Sequence, residues 1–96
     1  SEWNNKPVAF VGYGGAGGAR AIEQLRQIVV EMQMASTRNA VHILLPDFLA
    51  VLQQGKKLEE IEHLNQSVSP MLDQLSWWAH ALKVARDADA RTAQAA

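Results

Sequence analysis

The chain has 96 residues, 48% of them hydrophobic and 20% charged, which is the profile of one globular domain at most. Nine Lys and Arg against ten Asp and Glu leave a net charge of −1, without the basic surplus of a nucleic-acid or polybasic membrane-surface binder. The absence of cysteine excludes disulfides, thiol redox chemistry and Cys-ligated metal centres. No apolar run approaches the ~18 residues of a membrane helix. The first six residues lack the apolar region of a signal peptide, so a cytoplasmic location is expected.

Lys6-Pro7 leads into Val8-Ala9-Phe10-Val11, a continuous apolar run. Such a run, bounded by turn signals, predicts a buried parallel strand covered on both faces, with Pro7 at its first position. It ends in Gly12-Tyr13-Gly14-Gly15-Ala16-Gly17-Gly18, in which five of seven residues are glycine. From Ala19, Ile22, Leu25, Ile28, Val29 and Met32 recur at helical spacing and predict an amphipathic helix. Ala35 to Asn39 breaks it. Ala40 to Leu45 reads as a second buried strand, stopped by Pro46-Asp47. Phe48 to Gly55 reads as a short helix or a loop.

Leu58, Ile61 and Leu64 return to helical spacing. Ser67-Val68-Ser69-Pro70 has the form of an N-cap with Pro at the first helical position, or else of a kink in one continuous helix. Met71, Leu72, Leu75, Trp78, Ala79, Leu82 and Ala85 form a long apolar stripe. Residues 87–96 are small and polar, and fraying is expected there.

Strand, glycine loop, helix, strand, helix implies a parallel pair with a right-handed crossover. Two strands do not complete a doubly wound sheet, and an apolar strand edge is rarely left bare. The chain therefore reads as the C-terminal part of a larger α/β domain, or as one that borrows a neighbour.

Gly12-Tyr13-Gly14-Gly15-Ala16-Gly17 fits G-x-G-x-x-G between a strand and a helix, the context of a dinucleotide-binding loop. Backbone N–H groups at a helix N-terminus attract phosphate. The acidic residue that such a site needs about 20 residues on is missing, however. Asp47 lies 30 residues past Gly17, beyond a proline. A small Rossmann-type nucleotide binder remains a third reading.

Residues 6–26, from Lys6-Pro7-Val8-Ala9-Phe10-Val11 through the glycine loop to Glu23-Gln24-Leu25-Arg26, resemble the fourth strand, loop and helix of the NAD(P)H-dependent FMN reductases of flavodoxin-like fold. Met32-Gln33-Met34-Ala35 and Asn39-Ala40-Val41-His42-Ile43 are similar to that family's continuation into its fifth strand. Met71 to Ala79 is similar to its last helix. The resemblance covers about residues 3 to 88.

The resemblance implies a three-layer αβα flavodoxin-like fold with a parallel sheet. It is incomplete here, with residues 1–96 forming the β-α-β-α C-terminal portion of one FMN reductase domain. It implies hydride transfer from NAD(P)H through FMN to a flavin, quinone or other acceptor. The loop against the pyrimidine side of the isoalloxazine ring would be Tyr13, Gly14, Gly15, Ala16, Gly17 and Gly18. Glycines bring backbone to van der Waals distance of a flat ring, and N–H donors near its N1 and O2 would stabilise the reduced form.

The family's Gly-Ser-x-Arg-like phosphate loop and Pro-Glu-Tyr-Asn-like loop occur nowhere in these 96 residues. The chain alone is therefore expected to be inactive, and to self-associate or to pair with a missing N-terminal half. A truncated or split chain acting in assembly is the alternative, with no nucleic-acid or membrane partner in either case. No catalytic acid or base and no metal site is expected. Arg20 reads as a solvated arginine or as the partner of an acid or a nicotinamide phosphate. His42 reads as a satisfied core or strand-end histidine, Trp78 as core, and Trp77 as a partly exposed aromatic or an interface anchor.

Overall fold

The computed structural model describes residues 2–95. Ser1 and Ala96, the ends of the expected 1–96 unit and 87–96 tail, lie outside the described residues. The elements in order are β1 (Pro7–Val8), β2 (Val11–Tyr13), α1 (Ala19–Glu31), β3 (Ala35–Ser36), β4 (Val41–Ile43), α2 (Leu45–Gln54), a 3₁₀ turn (Leu58–Glu60) and α3 (Glu62–Ala95).

Parallel strands flanked by helices make an α/β arrangement, compatible with part of a flavodoxin-like fold. β1 pairs with β3 in the register Pro7↔Ala35 and Val8↔Ser36. β2 pairs with β4 as Val11↔Val41, Gly12↔His42 and Tyr13↔Ile43. The run expected as one strand, Val8 to Val11, is thus divided between two two-stranded ladders, and the strand expected over Ala40 to Leu45 is Val41–Ile43, with Leu45 already in α2. Between the two paired stretches, Ala9-Phe10 face the four residues Thr37 to Ala40, a surplus of two on the second strand.

Arg26 of α1 holds that surplus in place. Its guanidinium donates to Thr37 O at 2.6 Å, Arg38 O at 3.2 Å and Ser36 Oγ at 3.3 Å. It also lies 5.3 Å over the Phe10 ring. Thr37 is fully buried and donates its hydroxyl to Asn39 O. A polar residue in a core needs such partners, because an unsatisfied hydroxyl is costly.

Side chains alternate across the ladder. Val8, Phe10 and Ala40 face α1 and pack with Ile22, Val29 and Met34. Ala9, Val41 and Ile43 face the other way and pack with Ile61, Leu64, Val68 and Met71. The sheet is a middle layer, but coverage is partial. Val11, expected within an apolar strand covered on both faces, is 59% exposed, and Tyr13, expected in the loop, ends β2 and is 66% exposed. Among the described residues, their strand has no neighbour on the side away from β4.

α1 is 13 residues long, shorter than its apolar pattern, because the chain turns at Gln33 with φ 58°. Pro46, expected to stop a strand, lies in the first turn of α2, where its missing N–H costs nothing. Gly55 closes α2 in the left-handed region, φ 68°. The N-cap expected at Ser67–Ser69 does not form; the continuous helix does, with Pro70 inside it. Ser67 Oγ instead donates back to His63 O, one turn earlier. The stripe Leu64, Val68, Met71 runs through the proline on one face, so burial holds the two halves in line. None of residues 87–95 is buried. The Cα radius of gyration is 16.9 Å, against about 12–13 Å for a compact chain of this length.

Candidate functional site

The glycine loop leaves the C-terminal end of β2, and the ends of parallel strands are where open α/β sheets place ligands. Gly14 N–H donates to Ile43 O, tying the start of the loop to β4. Gly17 N–H returns to Gly14 O, and Ala19 N–H to Ala16 O. The result is two tight turns that deliver the chain into α1.

The glycines divide into two groups. A Cβ at Gly12 would lie 2.6 Å from Gly17 O, and one at Gly18 2.9 Å from Gly12 Cα. Gly17 is buried at φ 65°, and a Cβ there would lie 2.7 Å from His42 Cβ. These three glycines let the loop fold down onto its own strands. A Cβ at Gly14 or Gly15 would meet nothing within 4 Å. Gly14, at φ 133°, needs glycine for its backbone. Gly15 has neither a positive φ nor a neighbour, so nothing among the described residues accounts for its missing side chain.

Among the described residues, the N–H groups of Gly15 and Ala16 have no acceptor within the chain. Both residues are exposed. Of the six expected site residues, Tyr13, Gly14, Gly15 and Ala16 form an outward rim. Gly17 and Gly18 face inward and serve the loop's own packing.

Tyr13 stacks on Phe48 of α2, with ring centroids 5.6 Å apart and planes 13° from parallel. The two rings, with Ile43, Val51 and Leu58, line a cleft of about 300 Å³. No charged side chain lines it, and the Tyr13 hydroxyl is its one side-chain polar group. α2 supplies this wall, which the sequence left undecided between helix and loop.

His42 lies beneath the loop. Its Nδ1–H donates to Gly17 O at 2.8 Å, because a carbonyl can only accept. The histidine is thus satisfied but exposed, not a core residue, and it pins the inward half of the loop to β4. Arg20 is exposed and has no ion pair among the described residues. In the first turn of α1 its charge opposes the helix dipole.

Asp47, the late acidic candidate of the dinucleotide reading, is bound to His63 Nε2 at 2.7 Å. It joins α2 to the first turn of α3. The spacing of 16 residues gave no local signal for this pair. Among the described residues, no three His, Asp or Glu come together as metal ligands. None of the described helices is long and apolar enough to cross a membrane.

Residues 1–44 match the family model of NADPH-dependent FMN reductase. The matched stretch runs through both paired strand segments, the glycine loop and α1. It stops before α2 and does not reach Met71 to Ala79. No curated protein matches the chain, and no solved structure does.

Proposed function

We propose that the chain is the C-terminal part of a flavodoxin-like domain, and that the domain is an NAD(P)H-dependent FMN reductase of the cytoplasm. Tyr13, Gly14, Gly15 and Ala16 would lie against the pyrimidine side of the isoalloxazine ring. The observation that carries this reading is the rim at Gly15. Backbone without a side chain, and with N–H groups that have no acceptor, opens outward at the end of a parallel pair. Its place within the matched residues 1–44 supports the same reading.

Bound FMN would supply the hydride relay between NAD(P)H and a flavin, quinone or other acceptor. The chain's own contribution is positional. Gly15 lets the backbone approach a flat ring, Gly15 and Ala16 offer N–H donors, and Tyr13 with Phe48 keeps water from one side. The rim carries no carboxylate, histidine or lysine, and proton transfer is not assigned to this chain. The flavin phosphate would be held by the rest of the domain, and the chain alone would not turn over.

The bare edge of β2, with Val11 and Tyr13 exposed beside it, favours a second reading. In it the chain acts by assembly, taking a further strand on that edge. Binding of FMN and riboflavin to the 96-residue chain, followed by flavin fluorescence, separates the two. Contact with the ring alone predicts saturable binding, similar for FMN and riboflavin, and lost in Gly15→Val while the melting temperature is kept. Absence of binding to either flavin would support assembly. A strong preference for FMN would refute the placement of the phosphate outside this chain.

A further inference from the structure

The core-facing stripe of α3 is Leu64, Val68, Met71, Leu75 and Trp78, all buried or half-buried. About a third of a turn round the helix lies a second stripe, Trp77, Ala81, Val84 and Ala88. Its spacing of four, three and four residues is that of a helix–helix seam. Trp77 is 70% exposed and Val84 53%.

The ends of this stripe carry opposite charges. Asp73 precedes Trp77 by one turn, and Arg91 follows Val84 by two. They are 18 residues apart, five turns at 3.6 residues each, so both lie on the same edge of the stripe. Both are exposed, and neither belongs to the ion pairs found among the described residues, His63–Asp47 and Lys83–Asp87.

We propose that two copies of this chain pair through α3 in antiparallel orientation. A two-fold axis between Leu82 and Lys83 sets Trp77 of one copy over Ala88 of the second, and Ala81 against Val84. Large meets small at each step, as close helix packing requires. In an antiparallel pair each helix edge meets the same edge of its mate. Asp73 of each copy then lies beside Arg91 of the other, twice by symmetry. A parallel pair would leave Asp73 and Arg91 at opposite ends of the seam.

The occupant is a second copy because this surface complements itself in both size and charge. From Pro70 to Ala95 the seam is about 38 Å long, which puts the contact at the lower edge of specific interfaces, roughly 1,000 Å². The pairing is independent of the flavin assignment.

The test is sedimentation equilibrium of the full chain at micromolar concentrations, with circular dichroism to confirm that each variant is folded. The parent chain is expected to sediment as a dimer. Trp77→Ala, which removes the largest side chain of the seam, and each of the single changes Asp73→Arg and Arg91→Asp, which turn attraction into repulsion at two symmetric places, should weaken association about tenfold or more. The double variant D73R/R91D should recover it. A parent chain that stays monomeric would overturn the proposal, as would a dimer indifferent to all three single changes, which would place the contact at the β2 edge or elsewhere. Failure of the double variant to recover would refute the antiparallel register.

Discussion

Gly17 and Gly15 are two residues apart in one loop, yet the structure assigns them opposite sensitivities. At Gly17 a side chain enters the left-handed region at φ 65°, which costs an L-residue about 1–2 kcal/mol. Its Cβ would also lie 2.7 Å from His42 Cβ and 3.3 Å from His42 Cα. Relief of that overlap costs about 1–3 kcal/mol more. Gly17→Val should therefore lose about 2–5 kcal/mol, out of a total that rarely exceeds about 15. Gly15→Val meets only open space and should stay within about 0.5 kcal/mol of the parent. Urea unfolding followed by tryptophan fluorescence measures both. Equal stabilities for the two variants would refute the division of the loop into an inward and an outward half. The same contrast makes Gly15, not Gly17, the place to test ligand contact, because loss of flavin in Gly17→Val could reflect a damaged fold.

Arg26→Ala removes two carbonyl hydrogen bonds, one hydroxyl contact and the stack on Phe10, so a loss of about 2–4 kcal/mol is expected by urea melting. Arg26→Lys keeps the charge but not the fork and should fall between; a variant as stable as the parent would mean the strand surplus is held by other contacts. The Lys83 side chain, four residues before Asp87, holds the Asp87 carboxyl below its usual value by hydrogen bonding to it. A depressed carboxylate contributes above its unfolded pKa and loses that contribution as pH falls through the folded one. Acidification should therefore lower the protection factors of amides in residues 87–95, taken against their intrinsic rates at each pH, before it affects the core, and Asp87→Asn should abolish that change.

The parts of the fold that could be read from the sequence rest on local periodicity. α1 begins where the glycines end, because Ile22 and Val29 fall on one face and nothing before Ala19 can. The parallel pairing followed from two apolar runs separated by one helix. Pro46 and Pro70 could not be placed that way. A proline marks a missing donor, and whether it stops a strand, opens a helix or sits within one depends on tertiary burial. At Pro70 the buried Leu64 and Met71 decide in favour of one helix. Arg26 with Thr37, and Asp47 with His63, meet only through the fold and leave no spacing to read. The glycine loop was legible as a candidate, but its two faces were not. Composition counts glycines without saying which of them approach their own backbone.

The strand surplus between Ser36 and Val41 has a further consequence, for insertion and deletion. Two extra residues is an even number, so both halves of the strand present the same parity to the sheet. Ser36 and His42 both look toward α1, and Val41 looks toward α3. Removal of one residue from Thr37 to Ala40 would exchange those roles, turning His42 into the apolar layer and taking the support from beneath Gly17. Removal of two would shorten the loop but keep every downstream side chain on its own side. Length variation at this point should therefore come in pairs: the segment that looks most like a dispensable surface loop carries an arithmetic constraint set by the loop it supports.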